Sequence, residues 1–201
     1  MELLFMGNDS HSVSRSLLEQ AKNAASLVRE SELKLRPDEE IVATLVGKFT
    51  ISLPEVDWER AAVSRQEAQL DSRHTPGVMA FHRQQTAMSL GEKVIVTVPF
   101  RGEREFFKIR PSSYTLNPPT ATLERQALLF EYVGVQVDAV RSKQDFESRK
   151  GQIINCLKTL GSDFESFNAQ LPGAIAPIIQ EKRSRMEKGE GNLDSWGMPI
   201  S

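Results

Sequence analysis

The side chains best suited to chemistry in this sequence are basic and aromatic residues between positions 100 and 114. Basic groups can neutralise phosphates and aromatic faces can stack on bases, and a single-stranded nucleic-acid binder needs both. This candidate nucleic-acid patch consists of Phe100, Arg101, Arg104, Phe106, Lys108, Arg110 and Tyr114. The plainer interpretation is a hairpin in which Phe107 and Ile109 alternate into the core while the arginines face solvent.

The patterns of familiar catalytic and metal sites are missing from the sequence. His11, His74 and His82 are dispersed and lack the spacing of a zinc site. No glycine-rich phosphate loop and no serine nucleophile motif occurs. Cys156 lies beside an apolar helix stripe, where a half-buried structural role is favoured over catalysis. We therefore expect no catalytic residue, no metal and no cofactor, and the sequence predicts a protein that is not an enzyme.

Length and composition bound the class of protein. The chain has 201 residues, 39% of them hydrophobic and 26% charged, which is typical of one sizeable domain with a helical appendage. A formal net charge of -2 provides no global field for nucleic acid or an anionic membrane. The single cysteine excludes an intramolecular disulfide. Since no apolar run reaches the length of a signal or transmembrane segment, we expect a cytoplasmic protein without membrane contact.

Helical patterns dominate the first fifty residues. Apolar residues recur at steps of three and four from Ser12 to about Leu33, which predicts one amphipathic helix. Pro37 followed by three acidic residues predicts the start of a second helix, which should end near Lys48. Residues 49–53 then alternate in polarity and predict a short strand that stops at Pro54.

The middle of the chain predicts strands. Residues 60–70 and 78–86 alternate weakly, whereas residues 93–98 are almost continuously β-branched. Residues 106–109 are expected to return antiparallel to that strand after a tight turn at Gly102. Residues 121–132 predict another hairpin, with its turn around Arg125 and Gln126.

From about Asp138 the apolar period becomes helical and resembles the a/d stripe of a coiled coil. This candidate helix interface consists of Phe146, Ile153, Leu157, Leu160, Phe164, Phe167 and Leu171. We expect the helix over residues 142–171 either to meet a protein partner or a second copy, or, equally, to pack against its own domain. Pro172-Gly173 interrupts the chain and predicts a helical hairpin.

Together these elements predict an α+β fold with a meandering, mostly antiparallel sheet, N-terminal helices and a long C-terminal helical hairpin. We expect an α+β domain with the central sheet at residues 1–136, the helical hairpin at residues 137–190 and a tail at residues 191–201. The expected function is a non-catalytic interaction or sensing module. The alternative is a nucleic-acid-binding module that uses the candidate nucleic-acid patch.

An ordered set of short motifs is similar to one found in a group of bacterial proteins. The motifs are Val98-Pro99-Phe100-x-Gly102, Phe107-x-Ile109-x-Pro111-Ser112-x-Tyr114-x-Leu116-Asn117-Pro118-Pro119, Phe164-x-x-Phe167-Asn168-x-x-Leu171 and Gly197-Met198-Pro199-Ile200. The chain resembles the N-terminal region of large bacterial proteins of poorly assigned function, in which a restriction-endonuclease-like domain of the PD-(D/E)xK type follows. The resemblance implies a role in phage defence in which this region supplies sensing, positioning or assembly while cleavage lies elsewhere. The chain is then either the N-terminal part of a longer protein or a stand-alone relative. It carries over no catalytic residue.

Overall fold

The computed structural model describes residues 1–71, 88–113 and 117–194, and within these ranges the fold is α+β, as predicted. The helices are α1 (Ser10–Ser26), α2 (Glu30–Leu35), α3 (Asp38–Phe49) and α4 (Ala139–Asp194). The strands are β1 (Glu2–Leu3), β2 (Glu55–Val56), β3 (Ala62–Asp71), β4 (Met88–Arg101), β5 (Thr120–Leu123) and β6 (Ala127–Gly134). Two short 3-10 helices span Trp58–Arg60 and Arg104–Lys108.

The described strands form one antiparallel sheet in the order β1-β5-β6-β4-β2, with β3 also paired to β4. The β3–β4 ladder runs from Ala62 opposite Thr97 to Asp71 opposite Met88. On its other side β4 pairs with β6, from Glu92 opposite Gly134 to Pro99 opposite Ala127. The predicted strands at residues 60–70 and 93–98 and the hairpin at residues 121–132 are therefore confirmed. The predicted strand at residues 78–86 lies outside the described residues.

Contacts divide the chain into two compact units. The first contains Met1–Asn8 and Leu53–Leu160, and therefore the sheet and the first part of α4. The second contains Asp9–Ser52 and the described part of Gly161–Ser201, and therefore α1, α2, α3 and the rest of α4. This division differs from the predicted boundary between residues 136 and 137, because α4 contributes to both units. Residues 191–194 of the predicted tail continue α4.

The predicted C-terminal helical hairpin is wrong, because α4 is one helix of 56 residues. Pro172 and Pro177 lie inside it, and each removes a helical N–H at a cost of about 3 kcal/mol. Both proline side chains are exposed and do not belong to the buried stripe of the helix. Ile175 and Ile179, which are interleaved with the prolines along the helix, are fully buried, and the burial of each contributes about 1.5–3 kcal/mol. The apolar stripe continues in phase past the prolines, and its burial offsets the lost hydrogen bonds.

The N-terminal helices depart from the sequence prediction in two places. The helix expected over residues 12–33 is divided into α1 and α2, and Asp9 caps α1 by accepting a hydrogen bond from the Ser12 N–H at 2.9 Å. The predicted helix after Pro37 is confirmed as α3. The strand predicted at residues 49–53 is wrong: α3 continues to Phe49, and the next residues form no strand.

The predicted return strand at residues 106–109 is also wrong. After β4 the chain turns at Gly102, whose φ of 102° lies in the left-handed region that favours glycine, and then forms the 3-10 helix Arg104–Lys108. This helix places Phe107 in the core of the first unit, where its ring meets the rings of Phe5 and Phe100 edge to face. Burial of Phe107 decides the local conformation over the alternating pattern.

Candidate functional site

The predicted nucleic-acid patch is dispersed in the structure. Phe100 lies on β4 with only 3% of its surface exposed, so its ring is unavailable for stacking on a base. Phe106 and Arg110 are half-buried, and the Arg110 N–H donates to the Asn8 carbonyl at 2.9 Å. Tyr114 lies outside the described residues. The structure therefore does not gather the aromatic half of the patch into a stacking surface among the described residues.

Three cations of the patch, Arg101, Arg104 and Lys108, are exposed, but two of them share one carboxylate. Lys108 Nζ lies 3.0 Å from Glu105 Oε2, and Arg104 Nε lies 3.3 Å from Glu105 Oε1. The hydrogen bond from Lys108, followed by the charges of both cations, lowers the pKa of Glu105, so this carboxylate stays ionised. Arg101 is exposed at the end of β4. The ion pairs with Glu105 therefore reduce the net positive potential of the patch.

Arg101 instead borders a groove that the sequence did not predict. The groove has a volume of about 580 Å³ and is lined by Glu55, Val56, Asp57, Trp58, Glu59, Arg101 and Lys150. Trp58 forms its aromatic wall, with its ring centroid 6.3 Å from that of Phe146 and 5.6 Å from Lys150 Nζ. The available sequence signal was a tryptophan between two acidic residues, but its meeting with Lys150 depends on the tertiary fold. Because its charges are of both signs, the groove favours neither an anion nor a cation.

The candidate helix interface is covered within the chain itself. Ile153, Leu160, Phe164, Phe167 and Leu171 are at most 3% exposed. Phe146 packs against Phe130 of β6 with ring centroids 5.1 Å apart, and Leu157 is half-buried. Phe167 and Leu171 belong to the apolar core of the second unit. Of the two alternatives that the sequence left open, packing against its own fold is the one observed at these residues.

Among the described residues, no strand pairs with the outer edge of β3, the edge that faces away from β4. β3 is a ten-residue strand, and among the described residues it pairs with β4 alone. Residues 62–67 are exposed on both faces of the strand, and Val63 is 70% exposed although its neighbour across the ladder, Val96, is 8% exposed. A strand edge of this kind presents a row of backbone N–H and C=O groups to solvent.

Charged side chains on one face of β3 meet a half-buried carboxylate of β4. Glu92 is opposite Glu67, and one of its oxygens accepts a hydrogen bond from the Val137 N–H at 2.5 Å. Its other oxygen forms an ion pair with the Arg65 guanidinium, although not a well-aligned hydrogen bond. Arg65 therefore neutralises Glu92, whereas Glu67 stands opposite a like charge. An open depression of about 420 Å³ lies over these side chains.

Metal-ligand clusters and the Cys156 thiol are the remaining candidates for chemistry among the described residues. No group of three or more His, Cys, Asp or Glu side chains there could hold a metal ion. Cys156 lies on α4 and is 6% exposed, and burial raises the pKa of its thiol, which disfavours the nucleophilic thiolate. This placement agrees with the structural role expected for this cysteine.

None of the helices within the described ranges combines the length and apolar character needed to span a bilayer.

No family model matches the chain, and no curated protein or solved structure shows significant similarity to it. The resemblance to restriction-endonuclease-associated proteins therefore stays a prediction.

Proposed function

We propose that this chain is a non-catalytic interaction module that binds a protein partner by adding an extended strand to the outer edge of β3. The observation that supports this proposal is the ten-residue length of β3 together with the exposure of both of its faces over residues 62–67. In strand addition, main-chain hydrogen bonds supply affinity and alternate side chains supply specificity. The outer edge of β3 offers main-chain hydrogen-bonding groups and exposed side chains on the same surface.

The candidate helix interface on α4 is already buried within the chain, and this supports β3 as the surface that binds a partner. A partner at Phe164 or Phe167 would have to displace the chain's own core, because these side chains are 1% and 3% exposed. At β3, by contrast, an added strand would leave the existing ladder to β4 in place. A strand of this length spans about 33 Å, enough for an extended partner segment of similar length.

Peptide binding tests the proposal. The probe is a fluorescently labelled peptide with the sequence of residues 62–70, and the control is the same peptide with proline in place of Gln66 and Glu67. Proline cannot donate to a ladder, and two consecutive prolines block both alternating sets of N–H groups. We expect the probe to bind the full chain and to slow hydrogen exchange at the outward-facing β3 amides. An absence of binding, or equal binding of both peptides, would remove support for strand addition.

The alternative function, nucleic-acid binding, has weaker support. In its favour Arg101, Arg104 and Lys108 are exposed, but Phe100 is in the core and two of the cations share Glu105. Binding through these cations would weaken as salt rises, because each neutralised phosphate releases counterions. A salt-dependent shift of a single-stranded oligonucleotide, lost when all three cations are changed to alanine, would favour this alternative over strand addition.

We also propose a cytoplasmic location, supported by the single cysteine, which excludes an intramolecular disulfide and therefore fits a reducing compartment. The role in bacterial defence that the sequence resemblance implies is retained as a proposal, supported by the ordered motifs alone. Retrieval of the complete reading frame tests that role, because a nuclease domain beyond position 201 would agree with it. A continuation into an unrelated domain would count against it.

A further inference from the structure

We propose that the strand added to β3 comes from a second copy of this chain, antiparallel to the first, with Gln66 opposite Gln66 of the second copy. This inference rests on the proposed function and names the partner. The resulting dimer is isologous, since the same edge is used on both sides. The sheets of the two copies become one continuous sheet.

Charge complementarity within β3 supports self-pairing in this register. With Gln66 at the two-fold axis, Arg65 stands opposite Glu67 of the second copy, and Glu67 stands opposite Arg65 of the second copy. Moving the axis by one residue would place Arg65 opposite Arg65, or Glu67 opposite Glu67. Like charges directly opposite each other destabilise a ladder, whereas opposite charges stabilise it. Among the registers with the axis at residue 65, 66 or 67, the order of charges therefore selects the one at Gln66.

The contacts within one copy provide a second argument. Glu67 stands opposite Glu92 across the β3–β4 ladder, and Arg65 forms its ion pair with Glu92. In the dimer, Arg65 of the second copy lies beside Glu67 on the side away from Glu92. The repulsion between the two carboxylates within each copy is thereby offset by a cation from the other copy.

The remaining side chains are compatible with this arrangement. On one face of β3 Ser64 would oppose Ala68 of the second copy, which brings two small residues together. On the other face Val63 would oppose Gln69 of the second copy. Val63 is 70% exposed in the single chain, and an added strand would cover part of this apolar surface. Burial of apolar surface is a general driving force for association.

Charge exchange between variants tests this pairing. The full chain and the Arg65→Glu and Glu67→Arg variants are compared by sedimentation equilibrium over a wide concentration range. We expect a dimer of the unaltered chain and at least a tenfold higher dissociation constant for each variant alone. An equimolar mixture of the two variants should dimerise again, because glutamates at positions 65 and 67 in one copy then face arginines in the other. Circular dichroism checks that each variant is folded.

The Gln66→Glu variant tests the position that lies on the two-fold axis of the proposed dimer. Within one copy position 66 is opposite Lys93, so a glutamate there does not disturb the monomer, whereas in the dimer it would face its own copy. We expect weaker dimerisation, with no loss of unfolding midpoint when the two proteins are compared at concentrations where both are monomeric. A monomer at every concentration, unchanged dimerisation of all three variants, or a mixture that fails to recover would each overturn the self-pairing. Peptide binding by a strictly monomeric chain would leave the proposed strand addition standing and overturn only the second copy as partner.

Discussion

Asn168 of α4 exchanges two hydrogen bonds with the backbone of Ile51. Its Oδ1 accepts from the Ile51 N–H at 2.9 Å, and its Nδ2 donates to the Ile51 carbonyl at 3.0 Å. The amide side chain thus takes the place that a neighbouring strand would have in a ladder. This pair ties the segment after α3, where Thr50 is extended and no strand forms, to α4 within the second unit.

Replacing Asn168 with alanine should destabilise the protein. The change leaves two part-buried backbone groups of Ile51 without a partner, and an unsatisfied buried polar group costs about 1–3 kcal/mol. We expect a lower free energy of unfolding in urea. Asn155→Ala is the control, since Asn155 is an exposed residue of the same helix and its change should alter stability by less than about 0.5 kcal/mol. Equal stability of the two variants would contradict a structural role for the Asn168–Ile51 pair.

Replacing Pro172 with alanine should stabilise the protein by about 2 kcal/mol. Alanine restores the N–H that can donate to the Asn168 carbonyl, although it also gives the unfolded chain more conformational freedom. The measurement is the midpoint of denaturant unfolding. A loss of stability would point to a turn at Pro172 and Gly173, and therefore to the helical hairpin that the sequence predicted.

A distance measurement tests the continuity of α4 directly. Gln170 and Glu187 are exposed residues on either side of both prolines. At a rise of 1.5 Å per residue, a continuous helix separates the backbones of these two positions by about 26 Å. Spin labels attached to the two side chains should report a distance close to this value. Pulsed electron paramagnetic resonance measures the distance between the two spin labels. A much shorter separation would show that the chain folds back between the two positions.

Replacing Phe164 with alanine should destabilise the fold without a specific effect on assembly. The side chain is 1% exposed, and truncation of a buried phenylalanine costs about 3–5 kcal/mol. Glu165→Ala is the matched control, because the neighbouring side chain is exposed. A Phe164→Ala variant of unchanged stability that failed to self-associate would instead favour the helix interface expected from the sequence.

Tyr132 should make stability depend on pH in the alkaline range. Its hydroxyl donates to Asp145 Oδ2 at 3.0 Å, and burial, followed by that hydrogen bond, raises the pKa of Tyr132 well above its ordinary value of 10.0. Because the folded-state pKa is raised, the stabilising contribution is complete below the unfolded-state pKa and is lost as pH rises through the folded-state pKa.

The unaltered chain should therefore lose stability more steeply above about pH 10 than Tyr132→Phe. Unfolding free energies from pH 8 to pH 11 provide the measurement. Identical pH profiles for the two proteins would show that the Tyr132 hydroxyl titrates as it does in the unfolded chain.

The sequence alone determined those elements whose stability comes from a local pattern. The β-branched run at residues 93–98 and the hairpin at residues 121–132 became strands, and Pro37 with its acidic neighbours marks the start of a helix. In these segments propensity, turn residues and polarity agree, so few distant contacts were needed to decide the conformation.

The tertiary structure decided the remainder. Burial of Ile175 and Ile179 carried α4 through two prolines, and burial of Phe107 turned an expected strand into a 3-10 helix. Burial of Phe100 and the salt bridges to Glu105 likewise dispersed a patch that is continuous in the sequence. Local patterns show which residues are apolar or charged, but only the folded chain determines which of them it covers itself and which, as on β3, remain exposed to a partner.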